Sequence, residues 1–224
     1  MRLFQWLMDW LFPDKCILCG RVLEREELDL CRECRIDGPE CPISKIKYPY
    51  IDQWIALWYY EGNVRQSLLR YKFHNRRSYA AGYGRLLGME LMKEDALDFD
   101  VLTWVPISNR RLRQRGYDQV ALLAEKLGET LQIEPVKTLA KIRDNPKQSQ
   151  IVGIAQRRAN VLGAYEVTDP SLVSGKRVLL LDDILTTGAT ASECARVLLT
   201  AGATEVQFAA IAAANKNKSD RGSL

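Results

Sequence analysis

The sequence predicts an α/β fold, a mostly parallel sheet flanked by helices, preceded by a small metal-binding knuckle. Three observations carry that expectation. From residue 54 onward, short apolar runs alternate with segments of helical periodicity, the order that lays parallel strands under covering helices. One run, residues 178–181, is apolar without interruption, the pattern of a strand buried on both faces. Ahead of it four cysteines fall as Cys16-x-x-Cys19 and Cys31-x-x-Cys34, with eleven residues between the pairs.

A chain of 224 residues buries one substantial core and leaves room for a small appendage. Apolar residues make up 47%, yet no stretch approaches the roughly 20 consecutive apolar residues that span a bilayer, so no membrane span is expected. The net charge of +4 is too modest to argue for nucleic acid by itself. The opening MRLFQWLMDWLFP is apolar, but Asp9 interrupts it and no small-residue cleavage site precedes Pro13. It reads as a short amphipathic helix packing on its own protein or a partner, with a membrane surface as the other option, and the chain as cytoplasmic. The expected organisation is an N-terminal helix and cysteine module over 1–47, the α/β domain over 50–214 and a disordered tail over 215–224.

The spacing of Cys16, Cys19, Cys31 and Cys34 suits a tetrahedral thiolate site closed on one metal, and zinc is the first choice. Gly20 supplies the tight turn of the knuckle. Disulfides would need an oxidising compartment that nothing here indicates, and an iron–sulfur or redox role stays open. Four ligands leave no position for a catalytic water. Cys41 is a bystander thiol or a substitute ligand, and Cys194 a small buried residue.

Taken in order, Pro39, Pro42 and Pro49 mark a linker, residues 54–60 a first strand and 64–73 a helix ending in the basic KFHNRR. A second helix spans about 78–93, its Ala, Gly and Leu face suited to close packing. Residues 101–105 form a strand stopped by Pro106, and SNRRLRQRGYDQ follows with Arg110, Arg111, Arg113 and Arg115 inside six residues. Then come a helix at 118–131, a short strand at 135–139, a hydrophilic loop over KIRDNPKQSQ, a helix at 151–161, a short strand at 164–167 and the last strand at 206–213.

The stretch RVLLLDDILTTGAT, residues 177–190, carries the chemistry. A strand running into Asp182 and Asp183, then a loop of small and hydroxylated residues, then a helix, offers two carboxylates and a helix N-terminus beyond a strand's carboxyl end, where α/β sheets bind ligands. Carboxylates accept from a diol or hold a hard cation, and Gly188 lets backbone approach a phosphate. An ordinary strand-to-helix turn is the bland alternative. A nucleotide P-loop is excluded because no Gly-Lys-Ser/Thr closes the loop.

LLLDDILTTGAT resembles the signature of the type I phosphoribosyltransferases, which bind phosphoribosyl pyrophosphate (PRPP). The resemblance implies that Asp182 and Asp183, the candidate catalytic pair, hold the ribose hydroxyls or their water-bound magnesium. Thr186, Thr187, Gly188, Ala189 and Thr190 would wrap the 5-phosphate. Read together with LFP and the double Cys-x-x-Cys, VPISNRRLRQRGYDQVALLAEKL and KQSQIVGIAQRRANVLGAY, nearly the whole chain resembles the ComF family of competence proteins. That family fuses a zinc module to a phosphoribosyltransferase domain; its members are cytoplasmic, are required for natural transformation and act with a helicase-like partner. Asp118 stands where the family more often has Asn, Asn145 and Lys141 replace Thr and Arg ahead of Gln148, and a second cysteine pair is reduced to Cys41.

The loop after Pro106 would then cradle pyrophosphate, with Arg115 and Arg111 as clamps, since a guanidinium fork holds two phosphate oxygens. A solvated basic turn is the alternative. In a third reading the same arginines, with Lys72, Arg76 and Arg77, track the backbone of single-stranded DNA; the aromatics Tyr71, Phe73 and Tyr117 lie among them, though aromatics at helical spacing are more often core. His74 is not nominated as a base or ligand. Thr186 occupies the position where purine-specific relatives carry a third Asp as base, which argues against purine salvage and makes PRPP binding a safer expectation than turnover. The readings that remain are a ComF-like protein supporting DNA uptake, a metabolic phosphoribosyltransferase acting on a base or amine, and a non-catalytic scaffold docking a helicase.

Overall fold

The computed structural model describes residues 13–41, 46–93, 98–143 and 154–215, without the side chains of 154, 155, 157 and 158. The helix expected at the N-terminus, Asn145 and Gln148 of the hydrophilic loop, and the tail beyond Asn215 lie outside these residues. In chain order the elements are α1 (Arg32–Ile36), β1 (Trp54–Tyr59), α2 (Gly62–Phe73), α3 (Tyr79–Lys93), β2 (Val101–Trp104), α4 (Asn109–Arg115), α5 (Gln119–Leu131), β3 (Leu139–Lys141), α6 (Ile154–Val161), β4 (Tyr165–Val167), β5 (Arg177–Leu185), α7 (Ala189–Thr200) and β6 (Glu205–Ala213).

Four strands make a wholly parallel sheet in the order β1-β6-β5-β2, and β3 and β4 form a separate antiparallel pair. The central strand β5 shows why the sheet is buried on both sides. Successive side chains of a strand point to opposite faces. Leu179 and Leu181 accordingly join α2, α3 and α5 in one apolar layer, while Val178 and Leu180 join α7, β3 and β4 in the other. Close approach of α3 and α5 depends on glycine: a Cβ at Gly84 would lie 2.7 Å from the Lys126 carbonyl carbon and 2.8 Å from the Leu127 nitrogen.

The cysteine module is not loosely tethered. Cys16, Ile17, Leu18, Leu30, Cys31 and Cys34 share the apolar layer of α2 and α3. Ser67 donates to the Ile17 carbonyl, Arg70 to the Leu18 carbonyl, and the Arg85 Nε meets Asp29 at 2.9 Å.

Three sequence expectations change. The segment expected as a linker pairs with β1, the Cys41 N–H donating to the Leu57 carbonyl at 3.2 Å and the Tyr59 N–H to Pro39 at 2.6 Å. The short strand expected at 135–139 begins only at Leu139. The arginine-rich segment after Pro106 is a helix, α4, opened by Ser108, whose Oγ accepts from the Arg111 N–H at 3.4 Å, and closed by Gly116 at φ +76. Clustered charge hid a local capping signal: Ser at the N-cap and Gly at the end are the ordinary punctuation of a helix.

Candidate functional site

The register of β2 against β5 builds the site. Trp104 pairs with Leu181, and the Val105 N–H donates to the Leu181 carbonyl at 2.9 Å, so Pro106 and Ile107 leave the sheet beside Asp182 and Asp183. The cleft at these carboxyl ends is lined by Asp182, Asp183, Lys72, Arg111, Arg115, Gln119, Lys141, Asn160, Tyr165 and Thr190.

The strand does not end at the carboxylates. β5 runs on to Leu185, so Asp182 and Asp183 are consecutive strand residues facing opposite sides. Asp183 falls on the α2 and α5 side and is buried; its Oδ1 is 2.8 Å from Lys72 Nζ, and its Oδ2 accepts from Gln119 Nε2 at 3.1 Å. Asp182 falls on the β3 and β4 side, and its Oδ1 accepts the Asp183 main-chain N–H at 2.8 Å. Burial, and then the charge of Asp183, push the Asp182 carboxyl up to about 8. Asp183 is thus already met by a cation and an amide donor, whereas Asp182 is met by a main-chain donor.

The rest of the cleft supplies positive charge. Arg111 and Arg115 lie one helical turn apart on α4, and both reach the cleft. The Arg115 guanidinium lies over the Phe73 ring, 5.1 Å from its centroid, and burial pushes its pKa down. On the other wall Lys141 Nζ donates to the Tyr165 hydroxyl at 3.2 Å. Asp118 holds the α4–α5 junction: one oxygen accepts from the Val120 and Ala121 N–H groups at 2.9 and 3.1 Å, the other from Ile107 at 3.3 Å.

Of the five loop residues nominated from sequence, Thr190 lines the cleft, and Thr186, Thr187, Gly188 and Ala189 form the turn into α7. Gly188 is its N-cap, at φ +78, where an L side chain is strained. Its missing Cβ is also required sterically, because a carbon there would run into the Tyr48 ring, which is buried and packs edge-on against Trp54 at 5.6 Å. Sequence reasoning left Tyr48 in the gap between the two expected domains; the structure puts it against the turn into α7.

Elsewhere, the sulfurs of Cys16, Cys19, Cys31 and Cys34 all lie within 4.8 Å of one another, and Cys19 Sγ is 3.7 Å from Cys31 Sγ. Zinc–thiolate bonds of about 2.3 Å in a tetrahedron put sulfurs about 3.8 Å apart, so the cluster fits a structural zinc. The Arg21 and Cys34 N–H groups donate to Cys19 and Cys31 sulfurs at 3.5 and 3.4 Å, the orienting contacts such a centre uses. Cys194 is buried, as expected.

The phosphoribosyl transferase domain family matches residues 115–222. The chain is 28% identical over 201 residues to the DNA utilization protein YhgH of Salmonella typhimurium, covering 86% of this chain and 87% of that one. It is 24% identical over 225 residues to competence protein F of Haemophilus influenzae (91% and 98% covered) and 27% identical over 224 residues to competence protein ComFC of Streptococcus pneumoniae (86% and 97%). These matches support a ComF-family protein with a phosphoribosyltransferase domain. Its parallel sheet flanked by helices is the type I phosphoribosyltransferase fold, preceded by a four-cysteine cluster consistent with a zinc knuckle.

Within this ComF-family site, sequence reasoning missed Gln119, Lys141 and Tyr165 and assigned Lys72 to a DNA surface. No local pattern marks them. They converge because α2, α5 and the β3–β4 pair close over the end of β5. The aromatics divide as well: Tyr71 is wholly buried, its hydroxyl donating to the Gln119 carbonyl at 2.5 Å, whereas Phe73 is exposed.

Proposed function

We propose that this protein binds Mg–PRPP in the cleft at the end of β5 and handles single-stranded DNA during uptake in natural transformation, in the cytoplasm and with a helicase-like competence partner. The observation carrying the reading is the meeting of acidic and basic side chains across one cleft. Asp182 and Asp183 face Arg111, Arg115 and Lys72, with the N-terminus of α7 beside them. PRPP presents the matching set: a diol for carboxylates and a 5-phosphate and pyrophosphate for cations and main-chain N–H groups. Hard oxygen donors suit magnesium, which the Asp182 side of the pair and the phosphates of PRPP would hold; it would supply charge neutralisation at the departing pyrophosphate. Arg111 and Arg115 would take the pyrophosphate oxygens, and the turn from Thr186 to Thr190 the 5-phosphate. The acceptor, if pentosyl transfer occurs, enters without a base at Thr186.

For DNA, the support is a basic, aromatic-bearing surface continuous with the cleft. Arg76, Arg77, Arg110 and Arg113 are exposed, Phe73 is 58% exposed beneath Arg115, and Arg77 lies 4.6 Å from the Tyr117 ring centroid. Stacking platforms among cations bind single strands without reading sequence. Calorimetry with PRPP and magnesium, and anisotropy with a labelled oligo-dT, test the two halves separately. Binding of PRPP lost in Asp182→Asn, and of DNA lost in Arg110→Ala/Arg113→Ala, is expected. No PRPP binding by the intact protein would sink the first half, and steady pyrophosphate release with one nucleobase alongside normal transformation in a deletion strain would favour a metabolic transferase instead.

A further inference from the structure

Asp182 and Asp183 are neighbours in sequence with different surroundings. Asp183 is 5% exposed, and each of its oxygens already has a strong partner: Lys72 Nζ at 2.8 Å on one, Gln119 Nε2 at 3.1 Å on the other. Gln119 is itself fixed, being 3% exposed with its main-chain carbonyl accepting from the Tyr71 hydroxyl. A carboxylate neutralised by an ammonium at contact distance is a poor ligand for a second cation. Asp182, half-buried on the opposite face of β5, forms no ion pair at contact distance among the described residues, although the charge of Lys72 also reaches it.

The position of Lys72 is equally specific. It sits in the last turn of α2 with its side chain 18% exposed and lining the cleft. The residue after it, Phe73, lies under the Arg115 guanidinium, so Lys72 and Arg115 share one wall. An ammonium has three donors, and the salt bridge to Asp183 uses one.

We infer that the two carboxylates divide their work: Asp182 meets the ribose diol and its metal, whereas Asp183 is a positioning residue that holds Lys72 as a third cation for the pyrophosphate end of PRPP. The assignment rests on the PRPP reading above and makes it more specific. Asp183 and Gln119 form a socket that stops the long Lys72 side chain from swinging into solvent, so its charge is in place before the ligand arrives. Lys72 then joins Arg111 and Arg115 around a group of high negative charge.

Three ligands separate the roles: PRPP, ribose 5-phosphate and inorganic pyrophosphate, each titrated calorimetrically with magnesium into the intact protein and into Lys72→Met, Lys72→Arg, Asp183→Asn and Asp182→Asn. Thermal unfolding checks that each variant is folded. Lys72→Met should weaken PRPP and pyrophosphate about tenfold or more, the worth of one charge-assisted contact, and leave ribose 5-phosphate within about twofold. Lys72→Arg should recover most of the PRPP affinity. Asp183→Asn should leave ribose 5-phosphate nearly unchanged, whereas Asp182→Asn weakens it. The inference is overturned if Asp183→Asn weakens ribose 5-phosphate as strongly as Asp182→Asn, or if PRPP affinity is unchanged in Lys72→Met. Should Lys72→Met fail to fold, the two Asp variants decide the matter by the same ribose 5-phosphate comparison. Failure of the intact protein to bind PRPP at all would instead overturn the parent reading, and this one with it.

Discussion

Replacing Gly188 with Ala tests the loop geometry most directly, because two separable penalties meet at one atom. Gly188 sits at φ +78, a left-handed conformation that costs a residue with a Cβ about 1–2 kcal/mol. The same Cβ would overlap the buried Tyr48 ring, and overpacking of this kind typically costs about 1–3 kcal/mol more. The expected total is about 2–5 kcal/mol, which for a chain of this size lowers the melting temperature by about 5–15 °C. Urea titration followed by tryptophan fluorescence measures it. The partition is checked in a Tyr48→Ala background, where the ring is gone and only backbone strain remains, so the added loss from Gly188→Ala should fall to about 1–2 kcal/mol. A loss of the same size in both backgrounds would refute the contact, and a shift under about 1 kcal/mol in the parent would refute the geometry altogether.

Three further outcomes follow from particular contacts. Chelation of the metal, or Cys16→Ser with Cys31→Ser, should lower the melting temperature by about 10 °C or more, because both sulfurs are fully buried in the layer shared with α2; scanning calorimetry with and without chelator checks this. Asp118→Asn keeps the helix cap but turns an amide N–H toward the Ile107 N–H, so it should cost about 1–2 kcal/mol by urea titration, and it should strengthen PRPP binding by removing a like charge near Asp183. The Arg177 guanidinium holds the Asp100 carboxyl down to about 2, against an ordinary value of 3.8. A depressed carboxyl contributes stability above its unfolded value that is lost as pH falls through its folded one. The gap in urea midpoint between the parent and Arg177→Met should therefore be present at neutral pH and close as pH falls from near 4 to near 2.

Local chemistry explains what the sequence disclosed. The buried run of β5, the glycine-bearing turn into α7 and the paired Cys-x-x-Cys spacing each need only neighbouring residues, so each could be read directly. The Asp182–Asp183 pair was legible as chemistry but not as geometry: a strand extending to Leu185 sends the two to opposite faces, and nothing in the pair itself says where the ladder stops. Ladder pairing with β6, through Ile184–Ala212 and Leu185–Ala213, decides that. Lys72 and Tyr48 were illegible for a different reason. Lys72 stands 111 positions before Asp183 (183 − 72), in a basic run that reads as solvated, and Tyr48 stands 140 before Gly188 (188 − 48), in a proline-marked stretch that reads as a tether. Only the folded chain juxtaposes them.

Helix α2 makes the cysteine module and the cleft one mechanical system. At Ser67 and Arg70 it holds the Ile17 and Leu18 carbonyls, which lie between Cys16 and Cys19; in its last turn, less than one turn beyond Arg70, Lys72 reaches Asp183. A rigid helix transmits a shift at one end to the other, because its hydrogen-bond ladder fixes rise and rotation per residue. Tyr71 reinforces the link: it is buried between these contacts, and its hydroxyl fixes Gln119, the second partner of Asp183. Loosening the knuckle therefore frees the two groups that hold Asp183, without touching Asp182 or the turn at Gly188. Metal removal should accordingly weaken PRPP and pyrophosphate more than ribose 5-phosphate, the same selectivity expected of Lys72→Met. Equal weakening of all three ligands would mean that the module supports the fold as a whole and has no specific hold on this wall of the cleft.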